Sequence, residues 1–343
     1  MTEQVADLVS GQPRSPSEPL LEVSDLAVEF RTARGWGVAV DGISLELRPG
    51  RTLAVLGESG SGKSATARAI MGVLPAGAGR ISRGRVALHG RDLLKLTAEE
   101  RRAVRGSQVA MVFQDALSAL NPVLPVGYQI GEGCRVHLGM SRRAARERAL
   151  ELLALVGIPD ARRRIGDFPH QFSGGMRQRV MIAAALAADP EILIADEPTT
   201  ALDVTVQAQI LQLLAKLQAD RQMSLMLITH DMGVVAGMAD DILVMYAGRA
   251  VEQGPADDVF DRPGHPYTRA LLDSICTADQ LGKPLRVIGG QPPDLGNLPS
   301  GCAFRTRCPL ATELCTTQPP VVEISPGHRS ACHFAVPAPG GVR

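Results

Sequence analysis

Gly57-Glu58-Ser59-Gly60-Ser61-Gly62-Lys63-Ser64 fits the phosphate-loop pattern G-x-x-x-x-G-K-[S/T], and the sequence around it has the required context. Thr52 to Leu56 (TLAVL) is a short apolar run that reads as a strand. Ala65 to Leu74 (ATARAIMGVL) reads as the helix that follows. The glycines let the backbone curl, so that N–H groups between Gly57 and Ala65 face one anion at the positive end of the helix dipole. Lys63 is expected to reach the outer phosphates of a nucleotide, and the Ser64 hydroxyl to ligate Mg²⁺.

Upstream, LLEVSDLAVEF from Leu20 and VAVDGISLELRPG from Val38 alternate as half-buried antiparallel strands do. A second strand pair is expected around Gly84 to His89. Residues 1–19, with Pro13, Pro16, Pro19 and several serines, read as a loose tail. Downstream the pattern becomes helical. Ser141 caps a helix through Val156 that is closed by Gly157 and Pro159, and a second helix runs from Met176 to Ala188. Ile192 to Ala195 and Ser224 to Ile228 read as buried strands, with a helix over Val204 to Leu217 between them. Apolar strands alternating with helices imply a parallel sheet with helices on both faces.

The strand at 192–195 runs into Asp196-Glu197. An acid at this strand end in phosphate-loop enzymes holds Mg²⁺, and Asp196 has that position. Glu197 is then placed to polarise the attacking water. Ser173-Gly174-Gly175-Met176-Arg177-Gln178 is a second Ser/Gly-rich turn opening a helix, hence a second anion-binding helix N-terminus. One nucleotide rarely needs two such sites from one chain. The economical explanation is that this turn faces the γ-phosphate of an ATP held by another copy or a paralogue.

At this point the chain resembles the ATP-binding cassette (ABC) family, whose signature reads Ser-Gly-Gly followed by a polar residue. The family fold is α/β: a P-loop NTPase cassette with a parallel-sheet core, an antiparallel β subdomain and a helical signature subdomain, here about residues 115–185. The resemblance implies that Gln114 is the Q-loop glutamine, which senses Mg²⁺ and the γ-phosphate and touches the membrane partner. It makes Asp203, in Thr200-Ala201-Leu202-Asp203, the acid that crosses the dimer interface. His230 becomes the switch histidine on the γ-phosphate, and Phe30, with Trp36 nearby, the aromatic that stacks on adenine. Met176 and Phe172 depart from the Gln and Leu that many members have there.

After Gly254 the composition shifts to Pro, Gly and Cys. His265-Pro266-Tyr267-Thr268-Arg269-Ala270-Leu271-Leu272 and QPPDLGNLPSGCAFRTRC (Gln291 to Cys308) resemble the C-terminal extension of oligopeptide and dipeptide importer ATPases. The expected organisation is a tail over 1–19, a nucleotide-binding cassette over 20–258 and a Cys-rich extension over 259–343. The resemblance implies an ATPase that pairs with a second ATPase subunit, a paralogue, and works with two membrane permease subunits. These take peptides from an extracytoplasmic binding protein, with the ATPase peripheral on the cytoplasmic face of the inner membrane. Nickel importers share these motifs.

Four of the six cysteines, Cys302, Cys308, Cys315 and Cys332, follow the spacing C-x5-C-x6-C-x16-C. Clustered thiols in a reducing compartment point to metal rather than disulfides. The spacing lacks the paired C-x2-C of zinc knuckles, so it does not select the metal. Importer ATPases with such a tail carry a [4Fe–4S] cluster, which the resemblance implies here. Zn²⁺, with His328 or His333 as substitute ligands, and four free thiols stay open. Cys134 and Cys276 read as lone buried thiols.

Composition sets outer limits. The 343 residues are 45% hydrophobic and 21% charged with a formal net charge of zero, so no overall field favours nucleic acid. Arg142, Arg143, Arg146 and Arg148 are interleaved with Glu147 and Glu151, as on the wet face of a helix. No apolar run approaches the ~20 residues needed to cross a bilayer, and the N-terminus, with Glu3 and Asp7, has no secretory signal. A soluble cassette ATPase acting on ribosomes or DNA usually carries two cassettes or a long coiled coil, and this sequence has neither. A redox enzyme regulated by ATP would need a second cofactor fingerprint, and none is present.

Overall fold

A computed structural model of the chain describes residues 18–33, 35–274, 288–294 and 296–336. The expected loose tail, apart from Glu18 and Pro19, and the thiol of Cys276 lie outside these residues. The chain forms two compact units from interleaved segments. One is built mainly on residues 92–228 with the short piece 47–50; the other combines 21–46, 51–91 and 229–343.

The phosphate-loop unit begins with β1 (Leu21–Thr32) and β2 (Gly35–Leu47), the two alternating runs. β3 (Thr52–Leu56) is buried at every residue, as its uninterrupted apolar sequence requires. It leads through the loop into α1 (Lys63–Met71). β4 (Gly79–Leu88) is longer than the expected Gly84–His89 segment. It pairs antiparallel with β1 from Leu21↔Leu88 to Phe30↔Gly79, and the short β5 (Arg91–Asp92) completes the order β2-β1-β4-β5.

The second unit contains β6 (Val109–Val112), β7 (Ile192–Asp196) and β8 (Ser224–Thr229), paired in parallel with Val109 beside Ile192 and Ile192 beside Ser224. β6 was not anticipated from the sequence, because four residues leave little periodicity to read. Helices α2 (Val126–Leu138), α3 (Arg142–Leu155) and α4 (Gly174–Ala185) pack on one another. Ser141 caps α3 as expected, its Oγ accepting from the Ala144 N–H. The arginine run lies on the wet side of α3, where Arg143 pairs with Glu147 and Arg148 reaches Glu151 and Asp189. Last comes α5 (Val204–Arg221), extending one turn beyond the expected Leu217.

The chain then re-enters the phosphate-loop unit. β9 (Asp241–Tyr246) lies parallel to β3, with Leu53 beside Asp241, and β10 (Arg249–Pro255) turns back antiparallel on it. After α6 (Pro266–Asp273), the hairpin of β11 (Val321–Ser325) and β12 (His328–Ala331) adds to β10, giving the order β11-β12-β10-β9-β3. The Cys-rich tail therefore supplies sheet, which its Pro- and Gly-rich composition concealed. Among the described residues no helix is long and apolar enough to cross a membrane.

Buried Glu252 on β10 fixes this arrangement. It accepts from the N–H groups of Gly264 (2.6 Å) and His265 (2.9 Å) and bonds His328 Nε2 (2.7 Å). His265 in turn caps α6, its Nδ1 accepting from the Tyr267 N–H at 3.1 Å, which requires a neutral ring. Burial pushes the His265 pKa down to about 4, against a smaller opposing pull from Glu252. A depressed histidine favours folding where the unfolded ring is also neutral. That contribution is lost as pH falls from about 6.5, where the unfolded ring protonates, toward 4, where the folded ring does. His265→Asn should therefore flatten the acid limb of stability between these pH values by about one proton, or roughly 1.4 kcal/mol per pH unit. Urea melts of both proteins at pH 7, 6, 5 and 4.5 measure the two slopes.

Candidate active site

In the phosphate loop, Gly57 has φ +151° and Gly62 φ +101°. A Cβ on Gly57 would stand 2.3 Å from the Met245 carbonyl oxygen on β9, and one on Gly62 would stand 2.7 Å from the Ala39 oxygen. Both positions exclude side chains for steric as well as conformational reasons. No side chain caps α1. Lys63 is buried and donates to the carbonyls of Gly57 (2.7 Å) and Glu58 (3.0 Å), a resting position at the mouth of the loop. The buried Ser61 hydroxyl has no hydrogen-bond partner among the described residues. A glycine-walled cradle with an orphaned hydroxyl and a lysine fits a triphosphate.

Asp196 ends β7 fully buried, and Glu197 follows in the left-handed region with φ +46°. This turn is tied down by the Glu197 N–H donating to the Ile228 oxygen at 2.9 Å. Glu197 Oε2 accepts from Gln114 Nε2 (3.1 Å) and from Thr200 Oγ1 (2.8 Å). The structure thus brings Gln114 and Glu197 together across parallel β6 and β7. Thr200 was not anticipated as a carboxylate partner, and its place three residues after Glu197 in a tight turn is the only sequence signal.

Ser173 caps α4, accepting from the Met176 N–H at 3.4 Å, and Asp203 caps α5, accepting from the Val206 N–H at 3.0 Å. The two helix starts touch. A Cβ on Gly174 would lie 3.6 Å from Leu202 Cδ2, and one on Gly175 only 2.5 Å from Val206 Cγ1. Ser173, Gly174 and Asp203 are exposed, beside Val204 at 83% exposure. Of the two departures, Phe172 is buried with Arg164 stacked 5.6 Å from its ring centre, and half-buried Met176 offers only its N–H to the turn.

His230 lies exposed after β8, and Asp231 beside it caps the short helix Met232–Ala236. Phe30 is half-buried, packed where a Cβ on Gly79 would come within 3.0 Å of its ring. Trp36 is more open and carries the Arg80 guanidinium 4.1 Å above it.

In the tail, Cys302, Cys308, Cys315 and Cys332 are free thiols. Burial raises the Cys302, Cys308 and Cys332 thiol pKa values, and the neighbouring cysteines raise them further. In donor type alone, four thiols suit an iron–sulfur cluster or zinc. Among the described residues, however, no group of three or more His, Cys, Asp or Glu is arranged to hold a metal ion. His328 Nε2 is committed to Glu252, and His333 Nε2 lies 3.1 Å from the Thr317 oxygen. Cys134 is buried as expected.

Comparison with known proteins places this geometry. Residues 40–200 match the ABC transporter family, and residues 251–315 match the C-terminal region of oligopeptide/dipeptide transporters. The chain is 50% identical over 321 residues to the oligopeptide transport ATP-binding protein OppD of Salmonella typhimurium, covering 94% of this chain and 95% of that protein. It is 50% identical over 298 residues to the dipeptide transport ATP-binding protein DppD of Bacillus subtilis, covering 87% and 89%. Among solved structures, the dimeric bacterial ABC transporter cassette MJ0796 superposes with a TM-score of 0.62 at 28% identity, covering 69% of this chain and 98% of that one.

The contact at Gly175 gives a direct test of how the two helix starts are set. Gly175→Ala should destabilise the chain by about 1–3 kcal/mol through overpacking, and Gly175→Ala with Val206→Ala should recover most of the loss. Thermal melts of the two variants and the parent measure this.

Proposed function

The chain belongs to the ABC transporter ATPases, in the branch that carries the oligopeptide/dipeptide C-terminal region, and from that premise we propose that its ATP hydrolysis powers the import of di- or oligopeptides. The observation that carries the chemistry is the Glu197 carboxylate held by Gln114 and Thr200. Glu197 acts as general base, taking a proton from the attacking water, while its two donors fix the carboxylate's aim. The loop from Gly57 to Ala65 holds the triphosphate, with Lys63 exchanging its two carbonyls for phosphate oxygens. His230 contacts the γ-phosphate, and Phe30 stacks on adenine.

Ser64, Asp196 and Gln114 offer the hydroxyl, carboxylate and amide oxygens that suit a hard cation, and they are the residues that would hold Mg²⁺. When bound, the ion neutralises charge on the β- and γ-phosphates.

The turn Ser173-Gly174-Gly175, exposed at Ser173 and Gly174 and set against Asp203, supports a working unit of two cassettes. Each ATP then lies between one chain's phosphate loop and the other's signature turn. The dimeric state of the MJ0796 cassette supports the same reading. The second cassette is a paralogue, and the pair works on two permease subunits fed by an extracytoplasmic peptide-binding protein, at the cytoplasmic face of the inner membrane. Tighter ATP binding to the closed pair supplies the coupling. Residues 20–258 act as the cassette and 259–343 as its extension, in which Cys302, Cys308, Cys315 and Cys332 would hold a [4Fe–4S] cluster, with Zn²⁺ as the competing occupant.

Glu197→Gln should retain ATP binding, trap the closed pair and lose ~10²–10⁴-fold in turnover; turnover near the parent rate removes Glu197 as the base. Iron, sulfide and zinc analysis of anaerobically purified protein should find four irons and four sulfides per chain for the cluster. One zinc selects the competing ion, and a metal-free, folded tail refutes both.

A further inference from the structure

Glu58 occupies a position of the phosphate loop where the pattern accepts any residue, yet its side chain, N–H and carbonyl are all bonded. Its two carboxylate oxygens accept a forked pair of bonds from Arg307, Nη1 to Oε2 at 2.6 Å and Nη2 to Oε1 at 2.9 Å. Its backbone N–H donates to the Tyr267 hydroxyl at 2.8 Å. Its carbonyl is one of the two that hold Lys63. Tyr267 belongs to the His265-Pro266-Tyr267 motif and Arg307 to the cysteine-rich segment, so both partners come from the C-terminal extension.

The Arg307 side chain is only 3% exposed. Besides Glu58, it donates through Nη1 to the Tyr246 hydroxyl (3.2 Å), through Nη2 to the Ile288 oxygen (3.3 Å) and through Nε to the Gly289 oxygen (2.9 Å). All five guanidinium N–H donors are therefore used, which leaves the side chain one orientation. Tyr246, Tyr267 and Phe304 are fully buried and meet edge-on or tilted, with ring centres 4.7–5.3 Å apart, which fixes the tyrosine hydroxyls.

We infer that Arg307 and Tyr267 are positioning residues for ATP binding: the C-terminal extension clamps Glu58 and so holds the phosphate loop in its anion-binding shape. A carboxylate in an anion-binding loop would otherwise repel the triphosphate. The Arg307 fork neutralises that charge and turns it into an anchor. Tyr267 also fixes the backbone of Glu58 through its N–H, and the Glu58 carbonyl in turn accepts from the Ser61 N–H at 3.2 Å, so the clamp is passed on to the middle of the loop. Preorganising a loop in its bound form raises affinity by removing the ordering cost from the binding step.

The inference rests on the ATPase reading, and the test separates the two. MgADP is titrated by calorimetry into the full-length parent and into Arg307→Lys, Arg307→Ala, Tyr267→Phe, Glu58→Ala and Glu58→Ala with Arg307→Ala. ATPase KM and kcat are measured in the assembled transporter. A parent that does not bind MgADP overturns the ATPase reading itself. With the parent binding, Arg307→Ala is expected to raise Kd about tenfold, and Arg307→Lys and Tyr267→Phe several-fold. KM should rise in step while kcat stays within about twofold. The double variant should bind no more weakly than the weaker single variant, and Arg305→Ala, at a half-buried arginine bonded to Ser300, should match the parent. Tyr267→Phe removes one hydroxyl and keeps the core filled, so it decides the matter if Arg307→Ala does not fold. Parent-like Kd in Tyr267→Phe and Arg307→Lys, or a loss confined to kcat, overturns the inference.

Discussion

The approach of Gly57 to the Met245 carbonyl sets the terms for the rest of the phosphate-loop unit. β3 and β9 are paired in parallel and buried, so the chain leaving β3 must turn against the end of its neighbour with no room for a Cβ. That turn aims the following amides inward and starts α1 without a side-chain cap. An anion site built from backbone can be no more rigid than the strands it hangs from. The buried surfaces of β3 and β9 are accordingly as much a part of nucleotide binding as the loop itself.

The second unit solves a comparable problem at its own strand ends. A carboxylate that is to act as the proposed general base must be exposed enough to reach water and still keep one orientation. Glu197 meets both demands by leaving β7 in a left-handed turn whose N–H is bonded to β8, while Gln114 and Thr200 grip one carboxylate oxygen. Gly174 and Gly175 serve geometry of another kind. They let α4 start against the first turn of α5, so that the signature turn and Asp203 form one surface.

What the sequence made legible is what local chemistry dictates. β3, α3 and β7 lie within two residues of where apolar runs and the Ser141 cap put them, whereas the capping roles of Ser173 and Asp203 came only with the structure. The motif residues Gln114 and Glu197 meet because they follow the neighbouring parallel strands β6 and β7, and with β6 unread in the sequence only the Glu197 side of that meeting was legible. The missed features depend on long-range partners. β12 joins β10 across some seventy residues, and its short polar sequence His328-Arg329-Ser330-Ala331 carries no strand signal. Glu252 reads as an ordinary surface acid until the chain turns at Gly264 and the hairpin delivers His328 to it. The same holds for Arg307, one arginine among many in a Cys-rich tail.

The Glu58–Arg307 pair cannot be explained as a stabilising ion pair. Burying the Arg307 charge and most of the Glu58 one has a desolvation cost that offsets their attraction, and replacing such a pair with apolar residues is often neutral or favourable for stability. What apolar residues could not provide is direction. Arg307 has five donors and five acceptors fixed by the tail, Tyr246 and Glu58, so the carboxylate it holds cannot drift without breaking a fully used network. A loop that must present amides to a charged ligand, and release that ligand in every cycle, benefits from such a device. The glycines supply the shape, and the extension, attached through β12 and α6, keeps that shape from relaxing while the loop is empty.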